Sequence, residues 1–271
     1  MAGIAVKSIG RSVTTVRPQA LVERLEEIRA AGLVHRASEQ TGDDVEQVLP
    51  LVAELRPLFP GGALRRGSAI AISGSAVNGG GDRAGRAGQS VGGGAAGAVS
   101  LLIGVLAEAS AAGSWCGVVG LPDLGWSAAA EAGMAVQRCA LVPYPGPDWA
   151  PVVAALLDGV DIVVTANAGQ ISAQVASRLT ARARQRGAVL VCLGQWPGAD
   201  LTLEVVDSVW HGLGQGRGRL RQRELSVRAH GRGAASRPRK ARLWWPAPLS
   251  VPPPQPIVSD LPIERPVREV A

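Results

Sequence analysis

Apolar residues in the middle of the chain occur in two kinds of pattern. Short continuous apolar runs, typical of buried strands, alternate with stretches in which apolar residues recur every three or four positions. The runs predict strands over residues 69–73, 115–120, 139–143, 161–166, 188–193 and 201–206. The other stretches predict helices over residues 98–112, 126–135, 149–158 and 171–186. Because strands that alternate with helices form parallel sheets covered on both faces, the fold class is predicted to be α/β.

An N-terminal segment, residues 1–57, has helical periodicity in two places. The first predicted helix begins at Pro18 and has Leu21, Leu25 and Ile28 on one face. The second begins near Asp44 and ends at Pro57. Its apolar stripe consists of Val45, Val48, Leu49, Val52 and Leu55. This segment is therefore predicted to be helical.

The pattern changes again beyond residue 210. Residues 219–228 alternate between polar and apolar positions, and a turn over residues 231–236 is followed by a second extended run at 238–245. Two extended runs joined by a glycine-containing turn predict an antiparallel hairpin, which we expect at an edge of the sheet.

Two segments differ in composition from the rest. Residues 74–97 contain ten glycines, and residues 246–271 contain eight prolines. We expect the first to be a flexible insertion and the second to be a disordered, extended tail. The predicted organisation is thus an N-terminal segment (1–57), a core (58–245) with the 74–97 insertion, and a tail (246–271).

Charge and cysteine content narrow the class of protein. The chain has a formal net charge of +6, yet residues 211–245 alone carry nine arginines and Lys240 against Glu224. A basic patch confined to one segment is typical of a polyanion-binding surface. The three cysteines match no zinc pattern and are expected to be buried free thiols. The apolar runs are too short for a membrane span, so a cytoplasmic protein is predicted.

A glycine-rich loop between the first predicted core strand and helix raises the question of nucleotide binding. Strand, glycine-rich loop and helix form the frame of a phosphate-binding loop, which requires backbone N–H groups, a lysine and a Ser or Thr hydroxyl. The chain has no lysine between Lys7 and Lys240. We therefore expect a degenerate Walker A loop, with Gly74 and Ser75 as its remaining phosphate contacts, no resident cofactor and no metal.

The order of these elements resembles the RecA recombinase core over about residues 58–245. Five segments also resemble the actinobacterial ImuA-type proteins, RecA-like accessory factors of damage-induced mutagenesis. These segments are Ala112-Gly113-Ser114-Trp115-Cys116, Pro145-Gly146-Pro147-Asp148-Trp149, Ala183-Arg184-Gln185-Arg186-Gly187, Trp210-His211-Gly212-Leu213-Gly214 and Arg242-Leu243-Trp244-Trp245-Pro246. The resemblance implies a RecA-like, mostly parallel sheet covered by helices.

The chain departs from the RecA pattern where that family carries out catalysis. Besides the missing lysine, the metal-supporting carboxylate would fall near Ala166, where Thr165 and Asn167 offer no acid. The catalytic carboxylate would fall near Pro122, and a shift of one residue would place it at Asp123. Loss of these groups removes phosphate positioning, metal binding and water activation, so we expect no hydrolysis and no enzymatic activity.

Basic residues of the predicted hairpin are the candidate DNA-binding residues. They are Arg217, Arg219, Arg221, Arg223, Arg228, Arg232, Arg239, Lys240 and Arg242. Alternation places Arg219, Arg221 and Arg223 on one face of a strand, where they can contact successive phosphates, and Trp244 or Trp245 can stack on bases. The alternative is a solvated edge strand, whose charges prevent aggregation. Most of the seven tryptophans are expected to anchor the core or loops.

The resemblance also implies a function and partners. It indicates a non-catalytic accessory protein of translesion synthesis in the SOS response to DNA damage. Its partners would be a Y-family polymerase-like adaptor and an error-prone polymerase, together with single-stranded DNA or a RecA filament. Apolar residues of the tail, Ile257, Val258, Leu261 and Ile263, are the candidate partner-binding residues. The alternatives are an active RecA-family ATPase or recombinase and a RecA-like, protein-binding inhibitor without DNA contact.

Overall fold

The computed structural model describes residues 4–6, 14–16, 48–74, 97–166, 171–214 and 217–245, with backbone only for 4–6, 14–16 and 213–221. The strands are β1 (Ile4–Val6), β2 (Thr14–Val16), β3 (Val48–Leu49), β4 (Leu64–Arg65), β5 (Ala69–Gly74), β6 (Cys116–Val119), β7 (Cys139–Val142), β8 (Ile162–Ala166), β9 (Val189–Leu193), β10 (Leu201–Gly214), β11 (Arg217–Gly231) and β12 (Arg239–Trp245). The α-helices are α1 (Ala98–Ala111), α2 (Trp126–Glu131), α3 (Trp149–Gly159) and α4 (Ala173–Arg186). Short 3₁₀ helices lie at Ala53–Leu58, Pro60–Gly62, Val136–Arg138, Gly146–Asp148 and Gly233–Ala235.

Eight strands form one sheet in the order β12-β11-β10-β5-β9-β8-β6-β7. The six strands from β10 to β7 are parallel, whereas β11 is antiparallel to both of its neighbours. Side chains alternate between the two faces of each strand, so each face contributes its own apolar layer. Helices α1 and α2 cover one face, and α3 and α4 cover the other. The predicted α/β class, with a mostly parallel sheet between helices, is confirmed.

All six predicted core strands are present, and five of them begin and end within two residues of the prediction. Strands β8 and β9 are buried along their entire length, so they read in the sequence as continuous apolar runs. The exception in length is β10, which was predicted to end at residue 206 and continues to Gly214. Its second half contains Asp207, Ser208 and His211 and lacks the apolar run by which the first half was recognised.

The second predicted N-terminal helix is wrong over the part that the structure describes. Residues 48–49 are extended and pair with β4, and Ala53–Leu58 is a 3₁₀ helix. Pro50 explains the difference, because proline lacks an N–H and disfavours the helical conformation of the residue before it. Two apolar residues of the predicted stripe, Leu49 and Leu55, are nevertheless buried in the core beside α1, whereas Val48 is 44% exposed. The first predicted helix lies outside the described residues.

The predicted C-terminal hairpin is confirmed. Strands β11 and β12 pair antiparallel, with Leu225 opposite Leu243, and the Gly233–Ala235 turn lies between them. The structure adds a second, longer hairpin, because β10 also pairs antiparallel with β11. A register shift after Val205 marks the point at which β10 leaves the parallel sheet.

A buried carboxylate joins the amino ends of several strands. Asp161 is 1% exposed and lies immediately before β8. Its Oδ1 accepts a hydrogen bond from Arg66 Nη1 at 2.9 Å, and its Oδ2 accepts one from the Trp115 backbone N–H at 3.0 Å. Arg66 precedes β5 and also donates to the carbonyl of Gly187, just before β9. One ion pair therefore links the entry points of four strands.

Candidate functional site

The candidate site lies at the carboxyl edge of the sheet, where β5 ends and β10 continues. Gly74, the last residue of β5, pairs with Val205 of β10. A Cβ atom added at Gly97, which precedes α1, would lie 3.2 Å from the Cγ1 atom of Val205. The two ends of the glycine-rich segment therefore meet on the same residue of β10. Ser75, like Arg83 and Arg86, falls outside the described residues.

Gly97 fits its position because it has no side chain. Its φ angle is +97°, in the region that favours glycine, and an added Cβ atom would lie only 2.6 Å from Leu225 Cδ2. No described side chain caps the helix that follows. The first turn of α1 therefore has backbone N–H groups without a side-chain acceptor among the described residues, at the positive end of a helix dipole.

Arg223 of β11 lies beside this helix terminus. Its guanidinium carbon is 5.0 Å from the centroid of the Trp210 ring and 3.7 Å from the Cβ position of Gly97. Its Nε donates a hydrogen bond to Ser208 Oγ, and it forms no ion pair with a carboxylate of the described residues. Partial burial lowers the pKa of Arg223 from its ordinary value. A cation next to a helix amino terminus is a repulsive pairing that an anion would relieve.

The hairpin carries aromatic side chains on both faces beyond this point. Residues 206–214 of β10 run past the end of β5 and form an arm roughly 30 Å long at about 3.4 Å per residue. On the face of Arg223, Trp210 is 49% exposed. On the opposite face, the His211 and Trp244 rings lie 4.8 Å apart, and Trp244 is 37% exposed. Exposed indole rings beside cations provide surfaces on which planar groups stack.

The structure does not bring the nine predicted DNA-binding residues onto one surface. Arg217, Arg219 and Arg221 lie in β11, and their side chains are outside the description. Arg223 shares the α1 face with Leu225, whereas Arg228, Lys240 and Arg242 alternate onto the other face. There Arg228 pairs with Glu204, and Arg242 pairs with Glu224 at 3.3 Å. Arg232 and Arg239 lie at the opposite end of the hairpin from Arg223.

The structure also describes the positions near Ala166 and Pro122 at which the RecA pattern has its metal-supporting and catalytic carboxylates. Ala166 ends β8 and is buried, and the hydroxyl of Thr165 before it accepts a hydrogen bond from Trp149 Nε1 at 2.6 Å. Pro122 and Asp123 are exposed in the turn after β6. Among the described residues, no group of three His, Cys, Asp or Glu side chains lies close enough together to hold a metal ion.

The thiols and most tryptophans are structural. All three cysteines are free and buried, as predicted, and burial raises the pKa of Cys192 to about 12. Trp149 and Trp196 anchor the layer formed by α3 and α4, where Trp196 Nε1 donates to Thr180 Oγ1 at 3.0 Å. Trp210 is the tryptophan that sequence reasoning missed as a site residue. The sequence does contain a basic strand after Trp210, but only the pairing of β10 with β11 places Arg223 beside this ring.

Two other predictions concern the partner-binding tail and the absence of a membrane span. The candidate partner-binding residues Ile257, Val258, Leu261 and Ile263 lie outside the described residues. Within the part of the chain that the structure describes, no helix is long and apolar enough to cross a bilayer.

Two comparisons with known proteins bear on the chain. A family model described as the MT3502 N-terminal domain matches residues 77–198, which extend from within the glycine-rich segment to just beyond β9. An uncharacterized protein of Mycobacterium tuberculosis, Rv3395c, is 42% identical over 109 residues. That alignment takes in 40% of this chain and 53% of the relative, so the chain spans about half the length of the relative that it matches. The chain is thus similar to this domain across the centre of its sheet, while the matched residues of the domain model end before β10.

Proposed function

We propose that the chain is a non-catalytic accessory protein that binds single-stranded DNA through its projecting hairpin. The observation that carries this proposal is the position of Arg223 between the exposed Trp210 ring and the amino terminus of α1. A phosphate of the DNA backbone would bind the guanidinium and the N–H groups of the first turn of α1, which have no side-chain acceptor among the described residues. A neighbouring base would stack on Trp210, as bases do on aromatic side chains in sequence-tolerant binding.

Two features support binding without hydrolysis. The glycine-rich segment contains no lysine to contact a β- or γ-phosphate. At the end of β8, the Thr165 hydroxyl is engaged by Trp149, and the next residue is Ala166. Of the usual parts of a phosphoryl-transfer site, the anion-binding helix terminus is the one that the described residues retain.

The finer identity rests on resemblance. The RecA-like and ImuA-type segments of the sequence support a role in damage-induced mutagenesis, and the mycobacterial relative is in keeping with an actinobacterial family. In this proposal the hairpin binds DNA while the tail residues Ile257, Val258, Leu261 and Ile263 dock a Y-family polymerase-like adaptor. The adaptor in turn brings an error-prone polymerase to the same site, in the cytoplasm.

The test is the salt dependence of single-stranded oligonucleotide binding, measured by fluorescence anisotropy. Trp210→Ala should weaken binding by roughly 5- to 150-fold, since a base–aromatic stack contributes about 1–3 kcal/mol. Arg223→Gln should reduce the slope of log K against log salt by about 0.7, the value for one phosphate contact on a single strand. Neutralising Arg219, Arg221 and Arg223 together should reduce it by roughly 2.

Arg242→Gln is the matched control, because Arg242 belongs to the same hairpin but pairs with Glu224 on the opposite face. This variant should change the affinity and the salt slope only through the loss of one distant positive charge, which is a smaller effect than the loss of a direct phosphate contact. Equal effects of Arg223→Gln and Arg242→Gln would contradict the proposed contact. DNA-stimulated ATP turnover by the purified chain would contradict the non-catalytic part and favour the alternative of an active ATPase.

A further inference from the structure

A second concave surface lies at the opposite, amino edge of the sheet. It is a cleft of about 530 Å³ between the turn that precedes β5, the carboxyl end of α4 and the turn that follows β11. Its polar lining includes four arginines and a single carboxylate: Arg65, Arg66, Arg184, Arg232 and Asp200. This volume is within the range of small-molecule sites, roughly 300–1,000 Å³.

The carboxylate that lines the cleft is already engaged. Asp200 Oδ2 accepts a hydrogen bond from the Ala69 backbone N–H at 2.9 Å, and Oδ1 accepts one from Arg184 Nη2 at 2.7 Å. Arg66 is held by Asp161 at 2.9 Å. Two of the four arginines therefore have carboxylate partners that fix their positions.

The other two arginines, Arg65 and Arg232, form no ion pair with any carboxylate among the described residues. Both are exposed and approach the cleft from different elements, β4 and the end of β11. The guanidinium nitrogens of Arg232 lie 3.6 Å from the Cβ position of Gly198. The cleft thus has two guanidinium groups without a carboxylate partner among the described residues, on two of its walls.

The remaining wall is apolar, and the cleft depends on a glycine. Phe59, Ile70 and Leu201 contribute to the lining. Gly67 has a φ angle of +74°, and an added Cβ atom would lie 3.2 Å from the Cα atom of Arg184. The turn before β5 can therefore approach α4 closely only with glycine at this position.

We propose that this cleft binds a phosphorylated small molecule of nucleotide size. Arginine forks bind phosphate oxygens in pairs, and two of them contributed by different elements suit a group with two or more anionic oxygens. The apolar wall suits the ring of the same molecule. This site is independent of the proposed DNA contact, which lies at the carboxyl edge.

The experiment is calorimetric titration of the full chain with pyrophosphate, ADP and adenosine. ADP should bind more tightly than pyrophosphate, and adenosine should bind least, because the arginines contribute most and the apolar wall adds to them. The variant Arg65→Gln with Arg232→Gln should lose at least about tenfold in ADP affinity, the loss expected for charge-assisted hydrogen bonds. The matched control is Arg178→Gln, since Arg178 is exposed on α4 and does not line the cleft. It should bind ADP as the unaltered chain does.

Several outcomes would overturn the proposal. One is the absence of binding by all three probes at millimolar concentration, and another is unchanged ADP affinity in the double variant. Loss of ADP binding in Arg223→Gln, with retention in the double variant, would place the nucleotide at the carboxyl edge instead. Loss of oligonucleotide binding in the double variant, without any ADP binding, would make the cleft a DNA contact. If the double variant melts early, Arg65→Gln alone provides the same comparison.

Discussion

Removal of the Asp161 carboxylate should destabilise the sheet more than the loss of any exposed ion pair. The variant Asp161→Ala leaves the guanidinium of Arg66, whose side chain is 10% exposed, without its carboxylate. It also leaves the Trp115 N–H without its acceptor. Breaking a buried pair by removing one partner costs about 3–5 kcal/mol, against a total stability of about 5–15 kcal/mol for a typical protein.

The matched control is Asp158→Ala. Asp158 binds two arginines, Arg182 and Arg186, whose side chains are 43% and 48% exposed, so water can replace the lost contacts and the variant should be less destabilised than Asp161→Ala. Urea unfolding followed by tryptophan fluorescence measures both variants. In the Arg66→Met background, Asp161→Ala should cost less, because no unpaired charge is left behind. Equal midpoints for Asp161→Ala and Asp158→Ala would refute the assignment of a buried, strand-linking ion pair.

Three further predictions follow from single positions. Burial raises the pKa of Cys192 to about 12 in the folded chain, against 9.0 when it is unfolded. The free energy of unfolding therefore contains the full contribution of this thiol below pH 9 and falls by about 1.4 kcal/mol per pH unit between these two values. Cys192→Ala should flatten this fall in urea titrations at about pH 9–11. Gly97→Ala should cost about 2–5 kcal/mol from backbone strain and overpacking, whereas Gly113→Ala, with positive φ but open space, should lose only the strain of about 1–2 kcal/mol in the same assay. Thr165→Val should lower stability by about 1–3 kcal/mol in thermal melts by orphaning the Trp149 N–H, and adding Trp149→Phe should recover part of the loss; no recovery would exclude that hydrogen bond as the cause.

Periodicity alone located the sheet of this protein. Strands such as β8 and β9 are buried on both faces, so their apolar runs stand out without knowledge of their neighbours. The helices α1, α3 and α4 were recognised within two residues of their ends, because each has apolar residues at helical spacing on the side that it buries. The missing lysine, too, is a property of the sequence, and it needs no coordinates.

Pairing and proximity were decided by the tertiary structure. In the sequence, Arg223 belongs to a row of alternating arginines, and Gly97 ends a segment more than a hundred positions away. The pairing of β10 with both β5 and β11 brings them together. Likewise, Pro50 overrides a helical stripe, and the ion pairs of Arg228 and Arg242 depend on which residues lie across the strand. Local patterns report what each segment must bury, whereas the partner of each polar side chain depends on strand order and register, which the chain specifies only when it is folded as a whole.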